Sequence, residues 1–310
     1  KERNKMSKQR YLADRAAELD DTQLVELLDN LTDKVAQADN PEKSEIIHIT
    51  QIKDAIVSTY ENWGTVSGIS TGYPQLDKRI GGLTAGHLIL IGGETSNGKS
   101  AFAANIARNV AKRGDGVLYI TLEMLHEEIG SRFYHINGKE VDDLNIMFQQ
   151  QFQLDYKDIE PLLIKATRDF EVKLVVLDYM QYLGRGMTNE EVSKMSKTLK
   201  TLALKYGIPF VVIVSLRKGD GKFKRKWTEI EIDDLMGTGS IGYDCDVAMI
   251  ASWKNMANEF ENESFFVKLL KTRNVDLDFN NRYIKMGWDK TRIFEYEDEP
   301  IFDRIQQIFG

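Results

Sequence analysis

Long apolar runs are missing from this chain, and no stretch reaches the roughly 18 consecutive apolar residues that a membrane-spanning helix needs. The opening Lys1-Glu2-Arg3-Asn4-Lys5 also lacks the apolar run of a secretory leader. A soluble, cytoplasmic protein without a membrane partner is therefore expected. Cysteine is nearly absent. The single Cys245 excludes an internal disulfide and any clustered-cysteine zinc site, agrees with a reducing compartment, and is expected to be simply buried. No excess of positive charge is present either: the formal net charge is -7, so any contact with nucleic-acid phosphates must come from local basic patches. There is no internal repeat and no long low-complexity tract. The absence of an initiator methionine reads as a fragment or a processed chain, with any upstream function out of view.

With 310 residues, 42% of them hydrophobic, the chain can bury one substantial core and leave material for a smaller appendage. Residues 1–64 read as the appendage and 65–310 as the main domain. Between Gln9 and Gln37 apolar residues fall at helical spacing (Leu12, Ala16, Leu19, then Leu24, Leu27, Leu28, Leu31, Val35), with Asp21-Thr22 as a capping signal between two helices. Asn40-Pro41 breaks the pattern, and a further amphipathic helix is expected from about Ser44 to Trp63. This arm packs either on its own domain or on a neighbouring subunit.

After Gly64 the texture changes. His87 to Gly92, Gly116 to Leu122, Lys173 to Leu177, Ile208 to Val214 and Val247 to Ser252 are near-continuous apolar segments, as strands covered on both faces require. Helical patterns alternate with them: Lys99 to Arg113, Leu125 to Asn137, Ile159 to Phe170 and Glu190 to Tyr206. The alternation predicts an α/β fold with a mostly parallel central sheet flanked by helices. Ser264 to Lys271, Arg282 to Trp288 and Thr291 to Tyr296 are separated by turns and should finish the sheet antiparallel.

Gly93-Glu94-Thr95-Ser96-Asn97-Gly98-Lys99-Ser100 fits the phosphate-loop pattern G-x-x-x-x-G-K-[ST] between a predicted strand and a predicted helix that continues through Ala101. Glycines let successive backbone N–H groups converge on phosphate oxygens, and the helix N-terminus adds a favourable field. Lys99 reaches the β and γ phosphates and the Ser100 hydroxyl ligates Mg2+. By composition such a pattern arises by chance in roughly one random chain of this length in a hundred. Two apolar strands end in carboxylates, Glu123 and Asp178. Adjacent parallel strands bring such ends to one edge, so both acids should face the γ phosphate. One is expected to act as base on the attacking water and the other to assist the metal. Glu123 as base and Asp178 on the metal is the preferred assignment, and the reverse stays open.

With these residues placed, Gly68 to Tyr296 resembles the motor domain of the DnaB family of replicative helicases. The resemblance is carried by Ser70-Thr71-Gly72-Tyr73-Pro74-Gln75-Leu76-Asp77 and Gly81-Gly82-Leu83 before the loop, and by Leu122-Glu123-Met124 with Glu127 and Arg132. Asp178-Tyr179-Met180-Gln181-Tyr182-Leu183 is similar to the family's Asp-Tyr-Leu-Gln signature. Glu191-Val192-Ser193, Ser196, Leu199-Lys200, Asp234-Leu235, Gly239-Ser240-Ile241, Asp244 and Asp246-Val247 continue the match in order. The resemblance implies a RecA-like P-loop ATPase using ATP and Mg2+, working as a homo-hexameric ring that moves 5′ to 3′ on single-stranded DNA, with primase and a helicase loader as partners. Lys271-Thr272-Arg273-Asn274 resembles the family's Lys-x-Arg-Asn strand, whose cations reach the γ phosphate held by the adjacent subunit, the arginine as finger. In this role Lys271 and Arg273 join the catalytic set; a solvated basic strand is the bland reading. Ser215 stands where the family has a sensor Gln, and Met236-Gly237 replaces its Arg-Glu pair.

Arg217 to Lys226 carries six basic residues against one acid, with two glycines, directly after the fourth strand. Such flexible cations suit sequence-independent contact with phosphates, and Lys222, Lys224, Arg225 and Lys226 are the candidates within a central-channel loop. Gly237-Thr238-Gly239 resembles the family's second DNA-facing loop, and Arg185 is a further candidate. The acidic stretch Glu295 to Asp303 is expected to lie away from the channel. An ATP-gated loader or recombinase-like filament without unwinding activity is the alternative, slightly favoured by Ser215 and Met236-Gly237. The Asp-Tyr-Met-Gln signature argues against a recombinase or a KaiC-like signalling ATPase.

Overall fold

The computed structural model describes residues 48–54, 57, 66–137, 144–150, 154–180, 188–216, 229–235, 239–253, 264–273, 277, 282–289 and 292–296. The helical patterns over 9–37 and most of 44–63 lie outside the described residues, as do Arg185, the basic loop 217–226, residues 236–238 and most of the acidic stretch 295–303. The chain divides into two units, Lys1–Val57 and Ser58–Gly310. Of the first, the described part centres on a 3-10 turn, Ile49–Ile52, where His48 accepts from the Thr50 amide and Gln51 accepts from the His48 amide.

In the second unit the strands are β1 Leu88–Gly93, β2 Gly116–Thr121, β3 Ile146–Gln150, β4 Val172–Asp178, β5 Phe210–Ser215, β6 Val247–Ser252, β7 Ser264–Lys271, β8 Tyr283–Trp288 and β9 Ile293–Phe294. Its helices are α1 Pro74–Ile80, α2 Lys99–Ala111, α3 His126–Asn137, α4 Ile159–Phe170, α5 Asn189–Tyr206 and α6 Gly239–Asp244. The strands form one nine-stranded sheet in the order β3-β2-β4-β5-β1-β6-β7-β8-β9. From β3 to β6 the pairing is parallel, and β7, β8 and β9 close the sheet antiparallel, as the turn-linked pattern predicted.

Burial explains why the inner strands are continuously apolar. Leu88 and Leu90 of β1 pack into one core and Ile89 and Ile91 into another on the opposite face; Phe210, Val212 and Val214 against Val211 and Ile213 of β5 repeat the division. Each such side chain, fully buried, contributes about 1.5–3 kcal/mol, so both faces of the sheet are held. Helix ends are set locally. α5 starts at Thr188, whose hydroxyl accepts from the Glu191 amide while Glu191 accepts from the Thr188 amide at 2.7 Å, and it stops at Gly207 in the left-handed region.

Strand direction decides what this frame offers. β1, β2, β4 and β5 end at one edge of the sheet, and β6 starts at the other. Because β7 runs antiparallel to β6, with Lys271 opposite Ala248, the end of β7 lies beside the start of β6. The two edges are separated by about 20 Å, the span of a six-residue strand.

Candidate functional site

Residues 93–101 leave the end of β1 and turn into α2. Gly98 makes the turn possible: its φ is 89°, and a Cβ there would stand 3.0 Å from both Trp253 and Phe265. Lys99, the first residue of α2, folds back so that its Nζ donates to the Glu94 carbonyl at 2.7 Å. Burial pulls its pKa down, and the neighbouring Asp178, Glu123 and Glu94 oppose that pull. The loop therefore closes on its own lysine, whose Nζ stands at the centre of the curled backbone.

Register brings the two strand-end acids together, since β2 and β4 are neighbours with Thr121 opposite Asp178. Their surroundings differ. Asp178 is 2% exposed and accepts from the Tyr119 phenol through Oδ2 at 3.1 Å. Its Oδ1 is buried without an aligned hydrogen-bond partner. Burial pushes the Asp178 pKa up, against the Ser100 and Tyr119 hydroxyls and the Arg132 charge. Glu123 is exposed and lines the cavity. Ser215, opposite Gly93 at the end of β5, lines it as well.

This cavity has a volume of about 550 Å³ and lies between the phosphate loop, Glu123, Asp178 and Ser215. Trp253 and Trp288 form part of its wall. The Trp253 indole donates to the Ser96 carbonyl at 2.6 Å, and its amide donates to the Asn97 carbonyl at 3.2 Å, so the end of β6 holds the phosphate loop from outside. Arg132 of α3 also lines the cavity, with Nη2 at 3.3 Å from the Met124 sulfur. Neither tryptophan was marked by the sequence, and Arg132 entered only as part of a motif. Their signal is the pairing of β6 with β7 and of β7 with β8, which local pattern does not carry.

A magnesium ion fits these donors. The buried, unpartnered Asp178 Oδ1 beside the Ser100 hydroxyl supplies an oxygen pair of the kind Mg2+ uses, with phosphates and waters completing its shell. Among the described residues there is no group of three or more His, Cys, Asp or Glu able to hold a metal. Cys245 is buried, its thiol pushed up to about 11 by desolvation.

Lys271 and Arg273 do not join this cavity. The Lys271 Nζ donates to the carbonyls of Gly242, Tyr243 and Cys245 at 2.7, 3.3 and 2.6 Å, at the C-terminal end of α6. The Arg273 Nε stands 3.0 Å from Asp246 Oδ1, and the Oδ2 of that carboxylate accepts from the Leu88 amide at the start of β1. Both cations are thus at the sheet edge opposite the phosphate loop. Of the DNA candidates, Gly239 opens α6; the remainder lie outside the described residues. The ends of the segment carrying the basic loop are tied by the antiparallel bridge of Leu216 to Leu235, just past β5 and so on the cavity side. Among the described residues no helix is long and apolar enough to cross a membrane.

Comparison with known proteins adds the family. Residues 68–141 and 134–288 match the family described as DnaB-like helicase C terminal domain. The chain is similar to the replicative DNA helicase DnaB of Geobacillus stearothermophilus, 26% identical over 293 residues, covering 80% of this chain and 64% of that protein. It is also similar to the replicative DNA helicase DnaC of Bacillus subtilis (strain 168), 29% identical over 278 residues, covering 76% of this chain and 61% of that one. The chain therefore spans less than two thirds of these relatives' length. In fold it resembles a solved ATPase domain, with a TM-score of 0.67 at 19% identity over 79% of this chain and 99% of that chain. A solved structure of a DnaB-like replicative helicase and its interactions with primase gives a TM-score of 0.67 at 17% identity over 96% of this chain and 77% of that chain.

Proposed function

The chain belongs to the DnaB-like helicase C-terminal domain family, and from that premise we propose that it is the ATP-hydrolysing motor of a replicative DNA helicase, translocating on single-stranded DNA as a homo-hexameric ring and unwinding duplex. One observation carries the reading. Lys99, Ser100, Glu123 and Asp178 gather at one edge of the sheet, while Lys271 and Arg273 stand at the other. A chain so arranged has a cradle that lacks its finger and a finger that lacks its cradle. Head-to-tail assembly completes both at every seam, and when such an interface closes it makes a ring.

In this motor residues 93–101 hold the ATP phosphates, and Ser100 and Asp178 would hold Mg2+, whose chemistry there would be to neutralise charge on the phosphates. The buried setting of Asp178 beside Ser100 supports the metal-side role. The open position of Glu123 supports its role as base on the attacking water. Ser215, beside the loop, senses the phosphate through a water because its side chain is short. Arg273 from the adjacent subunit stabilises the transferring phosphoryl group, with Lys271 beside it, an effect typically worth about a thousandfold or more. Arg185, Lys222, Lys224, Arg225, Lys226 and the turn Gly237-Thr238-Gly239 track DNA phosphates along the channel. Movement runs 5′ to 3′, primase and a helicase loader are the partners, and the setting is cytoplasmic.

A forked-duplex strand-displacement assay tests this directly. Displacement that needs ATP and disappears in Arg273→Ala, with nucleotide binding retained, is the expected outcome. ATP hydrolysis without release of a strand would instead mark the chain as an ATP-gated loader.

A further inference from the structure

We infer that Asp246 positions the Arg273 finger for the neighbouring subunit's nucleotide, an inference that rests on the seam reading above. Asp246 sits between α6 and β6 and is 1% exposed. A carboxylate so buried is costly unless it is paired and hydrogen-bonded. Its two oxygens are used differently. Oδ2 accepts from the Leu88 amide and from Lys200 Nζ, each at 2.7 Å, and Lys200 also donates to the Gly86 carbonyl at 2.7 Å. These bonds fix the carboxylate to β1 and to α5. Oδ1 accepts no hydrogen bond among the described residues and faces the Arg273 Nε at 3.0 Å.

A purely structural tether between β1 and α5 needs only Oδ2. The orientation of Oδ1 toward a side chain that is 56% exposed has no packing purpose. It does have a chemical one. A guanidinium ion-paired on its Nε side keeps the Nη fork for a second oxyanion, and the fork is the part that grips a phosphate bidentately. An unrestrained arginine would lose much rotamer freedom on reaching a neighbour's phosphate. Asp246 has already restricted it. Lys271 is seated on the carbonyls of residues 242–245 immediately before Asp246, so one short segment orients both cations. His87 is half-buried nearby, and burial lowers its pKa, with Asp246 opposing and Lys200 and Arg273 adding to that fall.

The consequence is a defect that belongs to one chain and appears in the site of another. Asp246→Asn is expected to lower DNA-stimulated ATP turnover about tenfold to a hundredfold, the loss of one charge-assisted contact, with KM for ATP unchanged. Mixed with Lys99→Ala subunits, whose cradle is dead but whose Asp246 and Arg273 are intact, it should regain turnover. Some seams then pair an intact cradle with an intact finger. Arg273→Ala mixed with Lys99→Ala is the control. If that control regains nothing, the seam reading itself fails. If the control recovers while Asp246→Asn does not, or if Asp246→Asn alone turns over normally, the positioning role is overturned. Circular dichroism melting reports whether Asp246→Asn folds; if it does not, Asp246→Glu, which keeps a charge for Lys200, replaces it in the same mixtures with the same deciding outcomes.

Discussion

Tyr119 and Asp178 face one another across neighbouring strands, the phenol donating to Oδ2 at 3.1 Å while Oδ1 of the same buried carboxylate has no aligned partner. The phenol thus fixes one oxygen, while the other makes no aligned bond and the Ser100 hydroxyl stands beside the carboxylate. Such an arrangement stabilises function at the expense of the empty protein, because burial holds the Asp178 pKa above its ordinary 3.8. A group whose folded pKa is raised binds its proton more tightly in the folded state, so stability falls as pH rises from about the ordinary carboxylate value through the raised one.

Asp178→Asn removes that penalty. In nucleotide-free protein it should raise stability at neutral pH, with the gain shrinking as pH falls toward the ordinary carboxylate range. Its Mg2+-dependent hydrolysis should collapse. Melting curves across pH, with and without the substitution, check this; a variant less stable than the parent at neutral pH would contradict it.

Glu123→Gln separates chemistry from binding. The side chain is exposed in the cavity and makes no part of the phosphate loop, so ATP affinity should survive while turnover drops about 10²- to 10⁴-fold. Ser100→Ala, by contrast, should raise the Mg2+ concentration needed for half-maximal rate. Fluorescent-nucleotide titration and phosphate release measure the two quantities.

Trp253→Phe keeps an aromatic ring at the position but deletes the indole N–H and its 2.6 Å bond to the Ser96 carbonyl. One net hydrogen bond of about 0.5–1.5 kcal/mol corresponds to a two- to tenfold rise in KM for ATP with little change in kcat. Because Trp253 and Trp288 both line the cavity, ATP binding should also change indole emission in the parent protein.

Gly98→Ala tests the turn into α2. At φ 89° and with two aromatic carbons 3.0 Å from the new methyl, the change should cost about 1–3 kcal/mol and abolish nucleotide binding. Denaturant unfolding and nucleotide titration read the two effects. Unaltered binding would mean that the loop does not need this backbone conformation.

Much of this was legible in the sequence, and the remainder was hidden for physical reasons. β6, β7 and α4 take the boundaries their apolar patterns predicted. β3 was not foreseen: Ile146-Met147-Phe148-Gln149-Gln150 is an edge strand, only half-buried where described, and mixes apolar with polar residues without a clean period. α1 and α6 are too short to show helical periodicity. The phosphate loop, Glu123 and Asp178 were readable because each stands at the end of an apolar strand visible in the chain, whereas Ser215 was placed only through the family resemblance. Arg132, Trp253 and Trp288 were not readable, since only strand order and helix packing bring them to the cavity, and only the pairing of β2 with β4 brings Tyr119 to Asp178. Asp246 appeared in a motif without a role, which needed the opposite sheet edge to be seen.

Turnover per chain as a function of assembly tests the central claim most directly. Sedimentation and ATP hydrolysis would be measured on the same samples across protein concentration, with Mg2+ and single-stranded DNA present. Hydrolysis should be nearly absent in the monomer and should rise with the assembled fraction, since each cradle needs a finger from another chain. A monomer hydrolysing ATP at the assembled rate would contradict the account.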